Sequence, residues 1–239
     1  MSESADVDFV SDAVWRRLSQ TAPYWSVLSM DEFANELTPA TRDKFFQTGE
    51  DFVANAFARA SALAPGLSSP AVAIDFGCGV GRLTRPLARR SGRVYAIDIS
   101  ADMLRMCLEN CAEAGLRNVI PIFSTGALTG IEADLIVTSI TFQHIRPSRG
   151  MLILESLLNA LKIGGVAFLF ILVAGASNVV PEVPDADRIQ HGAKELIEMN
   201  VYPAADLITM FARFASEVHF SFVPMGGQLG ADIVLRRTT

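Results

Sequence analysis

Gly77, Gly79 and Gly81 alternate in the stretch Asp75-Phe76-Gly77-Cys78-Gly79-Val80-Gly81, directly after a short apolar run. A loop without Cβ atoms at these points turns tightly and brings its backbone into van der Waals contact with a ligand. A carboxylate two residues ahead of the first glycine is a poor neighbour for a pyrophosphate. It suits a cationic group instead, such as an α-ammonium, met directly or through water. Asp98 follows seventeen residues after Gly81, at the end of the next apolar run, where a carboxylate can accept hydrogen bonds from both hydroxyls of a ribose. The spacing is GxGxG. The dinucleotide fingerprint GxGxxG sets its third glycine one position later, so an NAD(P)-dependent oxidoreductase is the alternative that this loop disfavours.

His144, in Phe142-Gln143-His144-Ile145, is the candidate catalytic base and substrate contact. A histidine near neutral pKa can take a proton from a hydroxyl or an amine. The competing reading is that it only bonds a neighbouring loop. His191 is a weaker candidate in the proline-containing stretch 178–191, read as a loop or lid, and His219 falls on a late strand. Tyr24 and Trp25 are candidate substrate contacts, forming with Phe45 and Phe46 a cap over the site. Aromatic residues at helical spacing are at least as often core. Cys78, Cys107 and Cys111 form no CxxC pair, so they read as buried thiols, and no metal site is expected. No convincing Ser-His-Asp cluster is evident.

These residues need elements to position them. Thr38 and Pro39 start a helix carrying Phe45, Phe46, Phe52, Val53, Ala56 and Phe57 at helical spacing. It ends at the proline- and glycine-rich break 64–70, which divides a helical cap, residues 1–69, from a main domain, residues 70–239. Strands are expected at 71–76, 93–97, 119–123, 135–139 and 166–172, with helices at 82–90, 101–114 and 148–161 between them. Ser100 caps the helix at 101, Gly115 ends it, and Gly164-Gly165 is expected as a turn. Apolar runs without alternation suit strands covered on both faces, and repeated β-α-β units imply an α/β fold with a doubly wound, mostly parallel sheet. A helix at 203–214 and two strands, 216–223 and 233–235, complete the pattern around the turn Gly226-Gly227-Gln228-Leu229-Gly230.

Of the 239 residues, 50% are apolar and 19% charged, with a formal charge of −6, which argues for a packed core and against nucleic acid as the main partner. Arg82, Arg85, Arg89, Arg90 and Arg93 cluster, and are read as one solvated helix face. The acidic start MSESADVD has no apolar segment of the signal-peptide kind, and the longest apolar run, 166–176, is too short to span a bilayer. A cytoplasmic protein without membrane attachment is expected; oligomeric state is left open.

On these residues the chain resembles the class I, seven-stranded Rossmann-like S-adenosylmethionine-dependent methyltransferases, and a bacterial small-molecule type among them. AIDFGCGVGRLTRPLA resembles their first motif and VYAIDISADML their second. ADLIVTSITFQHIRPS resembles the fourth-strand motif, and LKIGGVAFL the entry to the fifth strand, with Ile163 in place of a proline. The resemblance implies S-adenosylmethionine as cofactor and a small-molecule acceptor methylated on O, N or C. It implies that Asp75, Gly77, Cys78 and Gly79 hold the methionine half and Asp98 the ribose, with Ile99 also among the cofactor-binding residues. Met103 and the loop at Thr125 and Gly126 would hold the adenine. Many relatives carry an acid after the third strand; here the residues are Phe123-Ser124-Thr125-Gly126-Ala127. A cofactor-binding protein without transfer activity is the non-enzymatic alternative, because binding and transfer are separable.

Overall fold

The computed structural model describes residues 3–123, 125–178 and 197–239. Seven strands form one sheet in the order β3-β2-β1-β4-β5-β7-β6. They are β1 Val72–Phe76, β2 Arg93–Ile97, β3 Val119–Ile122, β4 Ala133–Thr138, β5 Leu161–Ala174, β6 Val218–Met225 and β7 Gln228–Arg236. The first five pair in parallel, and β7 runs antiparallel between β5 and β6. The expected doubly wound, mostly parallel Rossmann-like sheet is the observed fold.

Helices α1 Glu3–Thr21, α2 Pro23–Val27 and α3 Pro39–Leu63 precede the sheet; α4 Thr84–Arg90, α5 Ala101–Glu113, α6 Pro147–Ala160 and α7 Ala204–Phe211 accompany it. Thr38 caps α3 by accepting the Thr41 N–H at 3.2 Å, with Pro39 in the first turn. Ser100 caps α5 by accepting the Met103 N–H at 3.3 Å. Gly115, just beyond α5, has φ +77°, a left-handed conformation that only glycine adopts without strain.

Successive strand residues alternate between two cores, as the pleat requires. Ala73, Leu135, Val137, Val166 and Phe168 pack under Val53, Ala56 and Ala60 of α3 and Leu87 of α4. Ile74, Ile136, Ala167, Leu169 and Ile171 pack under Leu154 and Leu157 of α6 and Leu207 and Phe211 of α7. The helix α3 is thus a layer of the sandwich that shares its core with the sheet, while α1 and α2 reach the strands' carboxyl edge.

Three local expectations change. Gly164 and Gly165 lie inside β5, because the β4–β5 register shifts between Ala133 and Leu135 and the strand continues back to Leu161. The turn at 226–230 shrinks to Gly226 and Gly227, with φ +52° and +91°. Pairing resumes at Met225↔Gln228, the two-residue hairpin that positive φ permits. Arg82 is not on a solvated face. It is buried at 4% exposure, because α3 closes directly over it: a Cβ on Gly49 would stand 2.0 Å from the Arg82 carbonyl oxygen.

Candidate functional site at the carboxyl edge of the sheet

The glycine loop leaves β1 and is clipped to its neighbours before any ligand arrives. Gly77 and Cys78 both donate their N–H groups to the Ile97 carbonyl at the end of β2, at 2.8 and 3.0 Å. Asn110 of α5 donates to the Val80 carbonyl at 2.8 Å. Gly77 and Gly79 have φ +74° and +51°, and a Cβ would stand 2.2 Å from Thr141 Oγ1 or 2.5 Å from Val27 Cγ2 respectively. Bare backbone is therefore what lets the cap and the loop after β4 close onto this turn.

A cavity opens at this edge, between the ends of β1, β2 and β4 and the helix α1. Its walls include Gly77, Gly79, Asp98, Ile99 and Met103 on one side, with Trp15, Ile140, Thr141, His144 and Arg149 also lining it. Asp98 joins the two sequence motifs physically. Its Oδ2 accepts the Gly79 N–H and its Oδ1 the Ser100 N–H, both at 2.9 Å. Burial raises its pKa, opposed by these backbone bonds. Each oxygen keeps a lone pair, since a carboxylate offers about four acceptor sites, so a vicinal diol fits here.

Asp75 behaves differently. It is 1% exposed and does not line the cavity. Its Oδ2 accepts the Thr84 hydroxyl at 2.6 Å, and its Oδ1 is buried without a partner. Burial pushes its pKa up to about 7, against the pull of the Thr84 bond and of nearby Arg82. Arg82 is itself lowered to about 10 by burial, and lies 5.8 Å from the Phe52 ring centre. An acceptor oxygen left open beneath the loop fits a cationic partner reached through it.

Cys78 is buried below the loop with Cys107 and Cys111, as expected of free thiols, and not in the cavity wall. Burial raises the Cys78 thiol to about 12, so at neutral pH it stays protonated. Thr125 and Gly126 start a short 3-10 turn; Ser124 lies outside the described residues. Phe123, 53% exposed, lines the cavity just before this turn.

Tyr24 and Trp25 do not reach the cavity. The Tyr24 ring meets Phe45 and Phe46 edge to face at 5.0 and 6.4 Å, and Trp25, 2% exposed, packs with Val14, Leu18 and Ile197. The structure thus gives these aromatics the packing role. The cap's contribution comes from α1 and the end of α2: Ser11, Asp12, Trp15, Ser26 and Val27 line the cavity. Four contacts hold α1 there. Ser11 Oγ donates to the His144 carbonyl at 2.9 Å, Asp12 pairs with Arg149 at 2.7 Å, the Trp15 ring lies 4.6 Å from that of His144, and the Ser19 and Ser100 hydroxyls meet at 2.8 Å.

His144 is where the sequence placed it, at the same edge, lining the cavity. Its Nδ1 lies 2.8 Å from the Glu198 carbonyl oxygen. A carbonyl only accepts, so Nδ1 carries the proton and Nε2 is the basic nitrogen. Burial lowers the pKa to about 4, opposed by the Glu198 bond, so the ring is neutral at neutral pH. Ile140, also in the wall, has φ +58°, a conformation that costs a β-branched residue and clusters at functional sites. Asn178, at the start of the expected lid, pairs with Met199. The rest of that stretch and His191 lie outside the described residues. His219 is on β6, 2.6 Å from Glu217 and away from the cavity.

Residues 73–165 match the sequence profile of the family described as "Methyltransferase domain". Among curated proteins, the chain is 36% identical over 76 residues to an uncharacterized methyltransferase of Mycobacterium tuberculosis (strain ATCC 25618 / H37Rv), covering 32% of this chain and 39% of that protein. It is 34% identical over 76 residues to the ubiquinone biosynthesis O-methyltransferase of Methylococcus capsulatus, covering 30% and 32%. The matched stretch thus spans well under half the length of either relative. Among solved structures, magnesium protoporphyrin IX methyltransferase from Synechocystis PCC 6803 with bound SAH aligns at TM-score 0.65 and 16% identity, over 95% of this chain and 100% of that one. The N-methyltransferase NodS from Bradyrhizobium japonicum WM9 with S-adenosyl-L-homocysteine aligns at 0.59 and 14%, over 96% and 100%. At such identities these two likenesses show a shared fold.

Proposed function

We propose that this chain, whose residues 73–165 carry the methyltransferase-domain match, is an S-adenosylmethionine-dependent methyltransferase acting on a small, uncharged, largely apolar molecule. The observation that carries this reading is Asp98 in the cavity wall, bonded to the Gly79 N–H at 2.9 Å. It puts a diol acceptor against a glycine turn that approaches a ligand by its backbone. Bound there, the cofactor would supply a sulfonium-activated methyl group for in-line displacement, in which positioning provides much of the rate.

In this reading Asp98 accepts from the ribose hydroxyls, Ile99 and Met103 cover the adenine, and Phe123 faces it at the mouth. Gly77 and Gly79 line the methionine half, with the open acceptor oxygen of Asp75 below the loop as the partner its ammonium would reach, directly or through water. Trp15, Ile145 and Ile153 form apolar wall for the acceptor, and the charges of Asp12 and Arg149 offset one another. His144 Nε2, unprotonated at neutral pH, would accept the proton of a hydroxyl or amine nucleophile, as a weaker base than a free imidazole because burial lowers its pKa to about 4. Among the described residues no helix is long and apolar enough to cross a membrane. The cytoplasm remains the location we infer, one that suits the free thiols.

The test is transfer of labelled methyl from S-adenosylmethionine to a panel of neutral aromatic and aliphatic hydroxyl and amine compounds. Labelled product that falls with His144→Gln, while cofactor binding persists, supports the reading. Tight binding of S-adenosylhomocysteine with no transfer across the panel would favour a cofactor-binding protein. Binding of NAD(P) in its place would favour the oxidoreductase.

A further inference from the structure

We propose that Glu198 and Asn200 are positioning residues that hold His144 in one tautomer and one orientation toward the acceptor; this rests on the reading of His144 as the acceptor-facing base. The segment Glu198–Tyr202 buckles under the turn 143–145. Every carbonyl of that turn is taken. Gln143 O accepts the Asn200 N–H at 2.6 Å and its Nδ2 at 3.2 Å, His144 O accepts Ser11 Oγ at 2.9 Å, and Ile145 O accepts the Tyr202 hydroxyl at 2.7 Å. Gly150 of α6 makes room for that hydroxyl, since a Cβ there would stand 1.8 Å from it.

The remaining contact reaches the imidazole itself. The Glu198 carbonyl takes the Nδ1 proton at 2.8 Å, and what fixes that carbonyl is the Glu198 side chain. The residue is 3% exposed, and its Oε1 receives Arg146 Nε at 3.2 Å and Asn200 Nδ2 at 3.1 Å. Its Oε2 is buried without a partner among the described residues. A buried ion pair is a poor source of stability compared with apolar packing of the same volume. This one has a geometric product instead. Arg146 and Gln143 flank His144 in the chain, so Glu198 and Asn200 grip the turn on both sides of the ring. Orienting a histidine through its second nitrogen is what sets the tautomer available for chemistry.

The experiment uses full-length protein labelled with ¹⁵N-histidine and saturated with S-adenosylhomocysteine. Its three histidines are assigned by His144→Gln, His191→Gln and His219→Gln. Long-range ¹H–¹⁵N spectra are expected to show His144 as the Nδ1-protonated tautomer. Glu198→Ala and Asn200→Ala should turn that signal into a tautomer mixture and lower kcat about tenfold or more, with KM for the cofactor within about twofold. Glu198→Gln, which keeps the Oε1 acceptor, should restore the wild-type spectrum and most of kcat. A wild-type tautomer signal in both alanine variants overturns the proposal, as does a Glu198→Gln protein no better than Glu198→Ala. If Glu198→Ala does not fold, Asn200→Ser decides by the same spectrum. Unchanged turnover in His144→Gln would sink the base reading alone, because the spectrum needs no acceptor.

Discussion

Replacing Asp75 by Asn should change how the fold's stability depends on pH, by an amount the burial of this side chain sets. The carboxyl is buried, bonded through one oxygen to Thr84, and raised to about 7 from an ordinary 3.8. Between these values the unfolded chain has lost the proton and the folded chain keeps it, so stability falls as pH rises. The contribution is fully present below pH 4 and is lost through pH 7, at about 1.4 kcal/mol per pH unit and about 4 kcal/mol in all. His144 opposes it. Its folded pKa of about 4 lies below the usual 6.5, so its contribution grows as pH rises over that window, by about 2–3 kcal/mol after allowance for partial exposure. The two contributions partly offset in the wild-type profile, and only the difference between wild type and Asp75→Asn isolates the carboxyl. Urea unfolding at half-unit steps from pH 4 to 8 gives it. Stability of the variant minus that of wild type should climb by about 1.4 kcal/mol per pH unit up to pH 7, then level off. Loss of a partner for Arg82 adds an offset without changing the slope. Parallel profiles, with no climb, would refute the argument that Asp75 is held protonated by burial.

Other substitutions test other parts of the site. Asp98→Ala removes charge-assisted bonds to two hydroxyls, about 3–4 kcal/mol together, so calorimetry should show S-adenosylhomocysteine binding weaker on the order of 10²- to 10³-fold; an unchanged affinity in a folded variant contradicts the ribose assignment. Gly77→Ala combines a left-handed backbone with a Cβ 2.2 Å from Thr141 Oγ1, and should cost about 2 kcal/mol or more in chemical denaturation. Arg82→Glu sets a second carboxylate in a buried site beside Asp75, and should destabilise by about 3–5 kcal/mol; a change within about 0.5 kcal/mol would restore the solvated-face reading.

What could be read in advance follows from the range of each interaction. The glycine loop and Asp98 were legible because backbone conformation and strand-end position are local properties, carried by residues adjacent in the chain. The two-sided burial of β1, β4 and β5 was legible for the same reason, in their unbroken apolar runs. Arg82 was misread because its burial comes from α3, packed over it through Gly49, and nothing in the arginine cluster itself signals that. The acceptor wall was equally hidden. Ser11 meets His144 across 133 residues, and Glu198 meets it across 54. Tyr24 and Trp25 stood out by type, yet the residue whose ring lies against His144, tilted at 54°, is Trp15, one of the chain's two tryptophans. Its helix carried no motif to single it out. Ile140 could have been suspected only from its position after β4, since positive φ in a β-branched residue leaves no trace in composition.

Isothermal titration of the wild-type protein with S-adenosylhomocysteine and, separately, with NAD and NADP tests the central claim most directly. Saturable one-to-one binding of S-adenosylhomocysteine, lost on Asp98→Ala and absent for both dinucleotides, is the predicted result. No heat with S-adenosylhomocysteine from a folded protein, or a dinucleotide that binds and depends on Asp98, would contradict it.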